Sequence, residues 1–503
     1  MLQRLNLIDK GQPSQSLTLN PQRLVNLYPT NSFGQESAKT PKALYRTPGT
    51  KLFATLPNAG MVRNVLEYRN ELYVVSDNIL YVVGPSANAT RLGTLNTYSG
   101  YVSMINNGTQ LMLDDGLNGY TYTFSTYVFA TIADADFDPS GYVTTQATRA
   151  IFIRPDTSEF AISALDDFTS YDVLDFATAE SIPQRGVAPF ATATDLYILG
   201  EKNTEVWSLT QDSLFPYVVR TGVNIPYGLA AKKSIVDIDG QLFFVGRNDQ
   251  GSKLLIKLSG YTPELAIDEA SQYQLSQLET VDDAEAYSFQ MNGRIFYAIT
   301  FPTENKSYLL DIQSKTLIEW SSWYLSGYAS SGDPIYVQGR HVGNYYAFFD
   351  GKHIVGDYRG GGRLLELDHL THADYECGVD DSIYFEWSTP VIHKDKYRVY
   401  FEALEIDMEV GTSSVSAASG DGTNLPLLRI ALSTNGGRSY GYERIVNFGY
   451  TGQYNKRVKL LKWGQFLDGN LKIYGNHPSF IAIYGLIAEV DTEDQFMLKT
   501  KGQ

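Results

Sequence analysis

The chain is poor in residues that cross-link a fold. Cys377 is the single cysteine among 503 residues, so no intrachain disulfide can form and stability does not depend on one. A lone cysteine of this kind is typical of a buried structural thiol. Histidine is also scarce, with six in the whole sequence. We therefore expect a fold that is held together by packing and backbone hydrogen bonds.

Long hydrophobic runs are lacking as well. No stretch of about 18 apolar residues occurs, so we expect no membrane span. The first residues, Met1 to Asp9, lack the apolar segment of a secretory signal. The sequence therefore predicts a protein that starts in the cytoplasm of the cell that makes it.

Charged residues are few, and acidic residues outnumber basic ones. They make up 19% of the chain, below the average of about 25%, which favours much buried or subunit-facing surface. With 40 Lys and Arg against 56 Asp and Glu, the net charge is -16. A protein that grips DNA usually carries a basic excess. This chain is expected to repel DNA on average, which suits a passage through which DNA slides without sticking.

Catalytic and metal-binding motifs are missing too. The pair His369 and His372 lacks the HExxH pattern, and residues 134–138 lack the later glycine and glutamate of a calcium loop. Residues 360–363 are glycine-rich without the Lys-Ser/Thr of a phosphate cradle, and no G-x-S-x-G elbow occurs. We predict no catalytic residues, no metal and no cofactor. Carboxylates are numerous, so a glycosidase pair stays open as an alternative.

What the sequence does have is a repeated β pattern. In residues 287–320, Asn292-Gly293 forms a tight-turn dipeptide between two runs of β-branched and aromatic residues. Two further short runs follow, which predicts a four-stranded antiparallel meander. The same pattern recurs about seven times at a period of roughly 40 residues. The units span residues 64–95, 101–132, 142–177, 187–223, 229–267, 287–320 and 328–367.

Small sheets of this size cannot bury both faces alone. Stacking them around an axis buries the faces, and closing the ring removes most exposed edges. The sequence therefore predicts an all-β protein with a β-propeller of about seven four-stranded blades. No Trp-Asp ending recurs, so the WD40 signature is absent. A stack of β-sandwiches is the alternative architecture.

The pattern changes at both ends of the repeats. We interpret residues 1–60 as an extended N-terminal arm joining the ring, residues 61–370 as the propeller, and residues 373–503 as a C-terminal β-sandwich of about seven strands. A helical insertion is predicted near residues 264–286. It is either a partner surface on one face of the propeller or a plain crossover loop.

One basic cluster stands out in this acidic chain, formed by Lys456, Arg457, Lys459 and Lys462. Strand alternation would place Arg457 and Lys459 on one face, with Lys456 and Lys462 on the other. The cluster is either a solvated strand face or a contact for an acidic partner or for DNA phosphate.

Several short motifs together resemble the tail nozzle proteins of short-tailed bacteriophages, also called tail hub or packaged-DNA stabilisation proteins. The resemblance covers most of the chain in order and spacing. The sequence departs from the family at the extreme N-terminus and in residues 267–284, so contacts that family members make in those regions are not transferred to this chain. The motifs are Asn-Leu-Tyr-Pro (26–29), Leu-Tyr-Arg-Thr-Pro-Gly (44–49), Phe-Ala-Ile-Ser (160–163), Tyr171, Phe-Ala-Thr-Ala-Glu (176–180), Asp-Leu-Tyr-Ile-Leu-Gly-Glu-Lys-Asn-Thr-Glu-Val-Trp-Ser-Leu-Thr (195–210), Leu-Ser-Thr-Asn-Gly-Gly-Arg-Ser-Tyr (432–440), Tyr-Asn-Lys-Arg (454–457) and Trp-Gly (463–464).

The resemblance implies a structural virion protein without catalytic residues. Such proteins form a homohexameric ring below the portal and its adaptor protein. The ring retains packaged DNA, meets a tail needle or plug, supports tail spikes or fibres, and conducts viral DNA during ejection. Two other classes remain as alternatives: a carbohydrate-binding or glycan-cleaving propeller, and a soluble binding propeller that works as a monomer.

Overall fold

Nearly all regular structure in this protein is β-strand. We analysed a computed structural model, which describes residues 2–5, 7–8, 11–31, 42–58, 60–181, 185–212, 215–331, 333–377, 382–394, 397–412 and 425–492. The N-terminal part supplies five short strands: β1 (Leu2–Leu5), β2 (Arg23–Val25), β3 (Leu27–Asn31), β4 (Lys42–Arg46) and β5 (Gly49–Thr55). They join three different sheets, described below.

Four regular meanders follow, and each is a four-stranded antiparallel sheet in sequence order. Blade 1 holds β6 (Val62–Tyr68), β7 (Glu71–Ser76), β8 (Ile79–Val83) and β9 (Ala89–Thr94); blade 2 holds β10 (Ser103–Asn106), β11 (Gln110–Asp114), β12 (Gly119–Thr123) and β13 (Val128–Thr131). Blade 3 holds β14 (Val143–Gln146), β15 (Arg149–Ile153), β16 (Glu159–Ser163) and β17 (Tyr171–Thr178); blade 4 holds β18 (Gly186–Ala191), β19 (Asp195–Gly200), β20 (Thr204–Leu209) and β21 (Tyr217–Val219).

Blade 5 has a divided inner strand. A 3₁₀ turn at Lys232–Ser234 separates β22 (Gly228–Leu229) from β23 (Val236–Ile238), and both pair with β24 (Gln241–Arg247). The blade ends with β25 (Lys253–Ser259) and β26 (Thr262–Leu265). The α-helix α1 (Glu269–Ser276) then leads to blade 6, within the interval where the sequence predicts helix. The Asp268 side chain caps it by accepting from the Ser271 N–H at 3.0 Å.

Blade 6 begins a larger sheet, and blade 7 closes the ring. Blade 6 holds β27 (Glu285–Met291), β28 (Arg294–Phe301), β29 (Lys306–Asp311) and β30 (Thr316–Glu319). The next strands are β31 (Ser321–Tyr328) and β32 (Pro334–Arg340), followed by β33 (Gly343–Phe349), β34 (Lys352–Asp357) and β35 (Arg363–Asp368). Neighbouring blades contact one another mainly through their first strands, blades 4 and 5 meet through β19 and β22, and β33 of blade 7 contacts β6 of blade 1. The described residues thus form a seven-bladed propeller, which confirms the predicted fold class.

The last blade differs from the sequence interpretation. The unit predicted over residues 328–367 supplies only β33, β34 and β35 to blade 7. Its fourth strand is β5, which pairs antiparallel with β35 from Arg363↔Thr55 to Asp368↔Gly49. Strands β31 and β32 form a separate two-stranded ribbon outside the blades. Local periodicity cannot reveal a partner strand about 310 residues away in the chain, so the sequence placed the fourth strand wrongly.

The second unit is a two-sheet β-sandwich. Its strands are β36 (Phe385–Ser388), β37 (Val399–Met408), β38 (Leu427–Ser433), β39 (Arg444–Asn447), β40 (Val458–Phe466), β41 (Asn470–Gly475) and β42 (Ala482–Thr492). One sheet has the order β3-β4-β42-β37-β40, with β1 also on β42. The other continues from blade 6 in the order β30-β2-β36-β41-β38-β39. Residues 1, 32–41 and 493–503 lie outside the described residues.

Strand β2 joins the two units. Val25 pairs in parallel with Glu319 of β30 and antiparallel with Glu386 of β36. The sequence predicts a separate sandwich and an arm, whereas the structure has one nine-stranded sheet running through blade 6, β2 and the sandwich. One apolar core accordingly contains Leu24 with Phe296 of blade 6 and Trp387 of the sandwich.

Two polar side chains of the N-terminal segment secure this junction. Asn26 is buried with φ 52°, a conformation that Asn tolerates better than most residues. Its Nδ2 donates to the Ser321 carbonyl at 2.8 Å and to the Tyr384 carbonyl at 2.7 Å. The buried Arg46 guanidinium donates to the carbonyls of His477 at 2.6 Å and Ser479 at 3.0 Å. Burial lowers the pKa of Arg46 to about 9, with Asp374 opposing this shift.

Truncation of Leu24 tests how much the junction contributes. Leu24 is 2% exposed in the shared core, whereas Leu19 is 76% exposed. We expect Leu24→Ala to lower the free energy of unfolding by about 2–5 kcal/mol through lost burial and a residual cavity. Leu19→Ala should change it by no more than about 0.5 kcal/mol. Urea unfolding followed by circular dichroism measures both, and equal midpoints for the two variants would contradict a shared core.

Candidate functional site

The axis of the propeller is filled by tyrosines. Tyr101, Tyr142, Tyr287 and Tyr345 come from four different blades or blade junctions and surround a cavity of about 130 Å³. The rings of Tyr101 and Tyr345 have centroids 5.7 Å apart, and Tyr287 stacks on Tyr346 at 5.5 Å. Burial raises the pKa of Tyr101 to about 12 and raises that of the other three further. These phenols are therefore neutral across the physiological range.

An ion pair lies among these rings. Lys233 Nζ donates to Glu285 Oε1 at 2.7 Å, and the Tyr345 hydroxyl donates to the same oxygen at 2.7 Å. Asn344 Nδ2 donates to Glu285 Oε2 at 2.5 Å. Lys233 also lies 5.1 Å from the centroid of the Tyr101 ring. The carboxylate thus has three donors, which compensates for its burial.

Because side chains fill the axis, the space along it limits the size of any molecule that could pass through the propeller. The cavity of about 130 Å³ is lined by side chains from the inner strands or junctions of blades 1, 2, 3, 5, 6 and 7. Its volume equals only a few water molecules. Duplex DNA cannot pass along this axis, so any DNA passage lies outside the single propeller.

The basic cluster lies on and just before β40, the edge strand of its sheet. Arg457 Nε donates to Glu405 Oε1 at 2.8 Å, and Lys459 faces Glu405 across the strand pair. The hydrogen bond from Arg457 lowers the pKa of Glu405. Lys456 instead donates to Asn447 Oδ1 at 2.9 Å. The structure therefore brings Arg457 and Lys459 together around one carboxylate and leaves Lys456 beside β39.

Lys462 departs from the predicted alternation. It has φ 62° at a bulge where the pairing jumps from Ala403↔Leu461 to Phe401↔Gly464. A bulge re-aims side chains and interrupts strand pairing. Lys462 consequently lines an open cleft of about 710 Å³ with Tyr400 and Glu489. Lysines and a bulge on an edge strand also discourage pairing with another chain. Contact of these four residues with DNA or a partner stays a prediction.

Two other sequence motifs serve as turns. In the hairpin after β38, the Asn435 Oδ1 accepts from the Ser439 N–H at 3.0 Å and from the Ser433 hydroxyl at 2.8 Å. The Asp134 carboxylate accepts from the N–H groups of Asp136 and Tyr171, each at 3.0 Å. Both side chains satisfy backbone or hydroxyl donors within their own surroundings.

In the described ranges, no group of three or more His, Cys, Asp or Glu is arranged to hold a metal ion. No helix of the described chain combines the length and the apolarity that a bilayer crossing requires. Burial lowers the pKa of His372 to about 4, so this ring is neutral at physiological pH.

Sequence reasoning missed the axial tyrosines. A usable signal existed, because Tyr101, Tyr142 and Tyr287 each stand at or beside the first strand of a repeat unit. The first strand of a blade lies nearest the axis, so a bulky residue recurring there indicates a filled centre. The Lys233–Glu285 pair had no such signal, since its partners are 52 residues apart.

The architecture defines a class: a two-part protein in which a seven-bladed β-propeller shares a sheet with a β-sandwich. Two family models match the chain in this order. Residues 8–371 match the model described as Bacteriophage P22 Gp10, beta-propeller, and residues 384–491 match Bacteriophage P22 Gp10, beta-sandwich. The chain belongs to this family of tail nozzle or hub proteins of short-tailed phages, as the sequence motifs predict. It is a phage tail structural protein.

Solved structures share the propeller in a general way. The chain is similar to the N-terminal domain of Nup159, with 10% identity, a TM-score of 0.37 and coverage of 68% of this chain and 98% of that one. It is also similar to the WD40 propeller domain of Doa1, with 11% identity, a TM-score of 0.34 and coverage of 64% and 96%. Such distant likenesses carry no argument about function. No curated protein matches the chain in sequence.

The axial ion pair gives a second stability prediction. Glu285→Gln leaves Lys233 without its counter-charge and turns an amide NH₂ toward a neighbouring donor. We expect the free energy of unfolding to fall by about 3 kcal/mol, as for breaking a buried pair. Asp156→Asn removes a carboxylate that is 84% exposed in its pair with Arg185, and should cost no more than about 1 kcal/mol. Thermal unfolding compares the two, and a larger loss for Asp156→Asn would contradict the assignment.

Proposed function

We propose that this chain forms the tail nozzle of a short-tailed phage: a homohexameric ring below the portal and its adaptor protein. The observation that supports the proposal most strongly is the ordered match of both family models over residues 8–371 and 384–491. In this role the protein retains packaged DNA and conducts it during ejection. It does so as scaffolding in the virion tail after synthesis in the bacterial cytoplasm, and it catalyses no reaction.

The shape and charge of the chain agree with that role. The propeller axis is filled, so a DNA conduit requires several copies arranged around a common channel. A net charge of -16 per copy disfavours adhesion of DNA to the walls of that channel. A tail needle or plug is proposed to close the distal end, with spikes or fibres attached around the ring. The viral DNA passes without sequence-specific binding.

Genetic removal and imaging test this function together. A phage that carries a stop codon in this gene should package DNA but fail to retain it, so that the genome becomes sensitive to DNase. Supplying the wild-type chain in trans should restore protected genomes and sixfold density at the tail. Particles that lack the chain yet retain their genomes would overturn the proposal.

The channel wall gives a separate expectation. We predict that the inner wall of the assembled ring is net acidic, because the negative excess of each chain must be distributed over its surface. A cryo-electron microscopy map of the assembled tail would locate the wall residues. A wall lined mainly by Lys and Arg would contradict this prediction.

A further inference from the structure

A half-open pocket of about 330 Å³ lies where blades 3, 4, 5 and 6 meet. Four cationic side chains and three carboxylates line it, in a chain of net charge -16. The cations are Arg154, Arg185, Lys232 and Arg247. We propose that this pocket binds one carboxylate side chain from an acidic segment of a partner protein, with Lys232 as the principal contact.

Lys232 is distinguished from its neighbour by its partners. Lys233 turns toward the propeller axis and pairs with Glu285 at 2.7 Å. Lys232 turns to the pocket, where its Nζ donates to the Ser140 carbonyl at 2.9 Å. Among the described residues, no carboxylate oxygen lies within ion-pair distance of Lys232, although an ammonium group has three donors to satisfy. An entering carboxylate would supply the missing counter-charge.

The surroundings of Lys232 make an anion favourable there. Burial lowers the pKa of Lys232; Asp114 opposes this shift, while Lys233 and Arg185 add repulsion. Asp114 itself is fully buried and accepts from the N–H groups of Ser140 and Gly141, each at 2.9 Å. Its carboxylate is therefore occupied with backbone donors. An anion between Lys232 and Arg185 would relieve the repulsion between the two cations.

The other cations in the lining already have carboxylate partners. Arg185 pairs with Glu201 at 2.6 Å and with Asp156 at 3.1 Å, and Arg154 pairs with Glu159 at 3.2 Å. Arg247 pairs with Asp282. These pairs hold the guanidinium groups in place around the pocket, so that they orient an incoming anion. Of these four cations, Lys232 is the one with no carboxylate partner among the described residues, so it is the contact for an entering carboxylate.

The same features disfavour DNA as the ligand. Asp156 and Asp282 stand at the exposed rim, with side chains 84% and 64% exposed. A duplex presents a row of phosphates, and those beside the bound one would face these carboxylates. The recess also has apolar walls from Ile153, Val187 and Leu229, which suit the methylene groups of a Glu or Asp side chain. An acidic peptide fits the charge and the lining together.

Binding by the full chain to short peptides tests the proposal. The probes are an amidated Gly-Glu-Leu-Glu-Gly peptide, its Gln-substituted counterpart and a short DNA duplex, measured by isothermal titration at low ionic strength. We expect the Glu peptide to bind and the Gln peptide not to bind. Lys232→Gln should weaken binding about tenfold or more, because it removes the charged partner in a partly desolvated site. Arg185→Gln, at the rim, should weaken binding less.

A matched control separates this site from general electrostatics. Lys306 is exposed on blade 6 and lies outside the pocket, so Lys306→Gln removes the same charge elsewhere and should leave binding unchanged. Equal binding by Lys232→Gln and the wild type would overturn the proposal, as would no binding of the Glu peptide to the wild type. Tighter binding of the duplex than of the peptide at Lys232 would overturn the assigned ligand class. If Lys232→Gln does not fold, Arg185→Gln decides: weaker binding of the Glu peptide supports the proposal, and unchanged binding overturns it.

Discussion

The pairing of β2 on both of its edges is the constraint on which the rest of this architecture depends. With only three residues, β2 bonds in parallel to blade 6 and antiparallel to the sandwich. Asn26 follows β2 directly, and its side chain donates hydrogen bonds to the carbonyls of Ser321, just after blade 6, and of Tyr384, just before β36 of the sandwich. A propeller and a sandwich joined by a single loop would rotate independently. The shared sheet instead ties the two units together, as the proposed ring would require.

The charges of the chain follow a consistent arrangement. Several positive side chains are committed to partners: Lys233 to Glu285 at the axis, Arg457 to Glu405 on the sandwich edge, and Arg46 to backbone carbonyls at the junction. The unpaired excess is negative. In the proposed ring, a net charge of -16 per chain disfavours contact with DNA phosphate, while a recessed cation such as Lys232 is available to small anionic groups.

The repeated units were predictable because each is local. Asn292-Gly293, Asp239-Gly240 and Asp350-Gly351 all adopt the positive φ values that their turn chemistry indicates. Each turn fixes two strands that are adjacent in sequence, so the period and the number of units follow. Strand β5 was placed wrongly because its partner β35 lies far along the chain. Distant pairing leaves no periodic trace in the sequence.

Site geometry was harder to predict for a related reason. The alternation that should have put Lys462 opposite Lys459 fails at a bulge, and a bulge depends on how two strands meet. Lys232 and Lys233 are adjacent and chemically identical, yet one faces the axis and the other the pocket. Their directions are set by a 3₁₀ turn that divides the inner strand of blade 5. The residue type indicates the chemistry of each side chain, whereas tertiary packing determines the direction in which the side chain points.

The closure of blade 7 by β5 has a consequence for biosynthesis. A ribosome releases β5 before any blade exists, and its hydrogen-bonding partner, β35, emerges only after some three hundred further residues. Until then, the residues of β5 cannot make their native pairing with β35. The ring of blades can close only after nearly all of them have been synthesised, so a translation product that stops before β35 lacks the strand pair that closes blade 7.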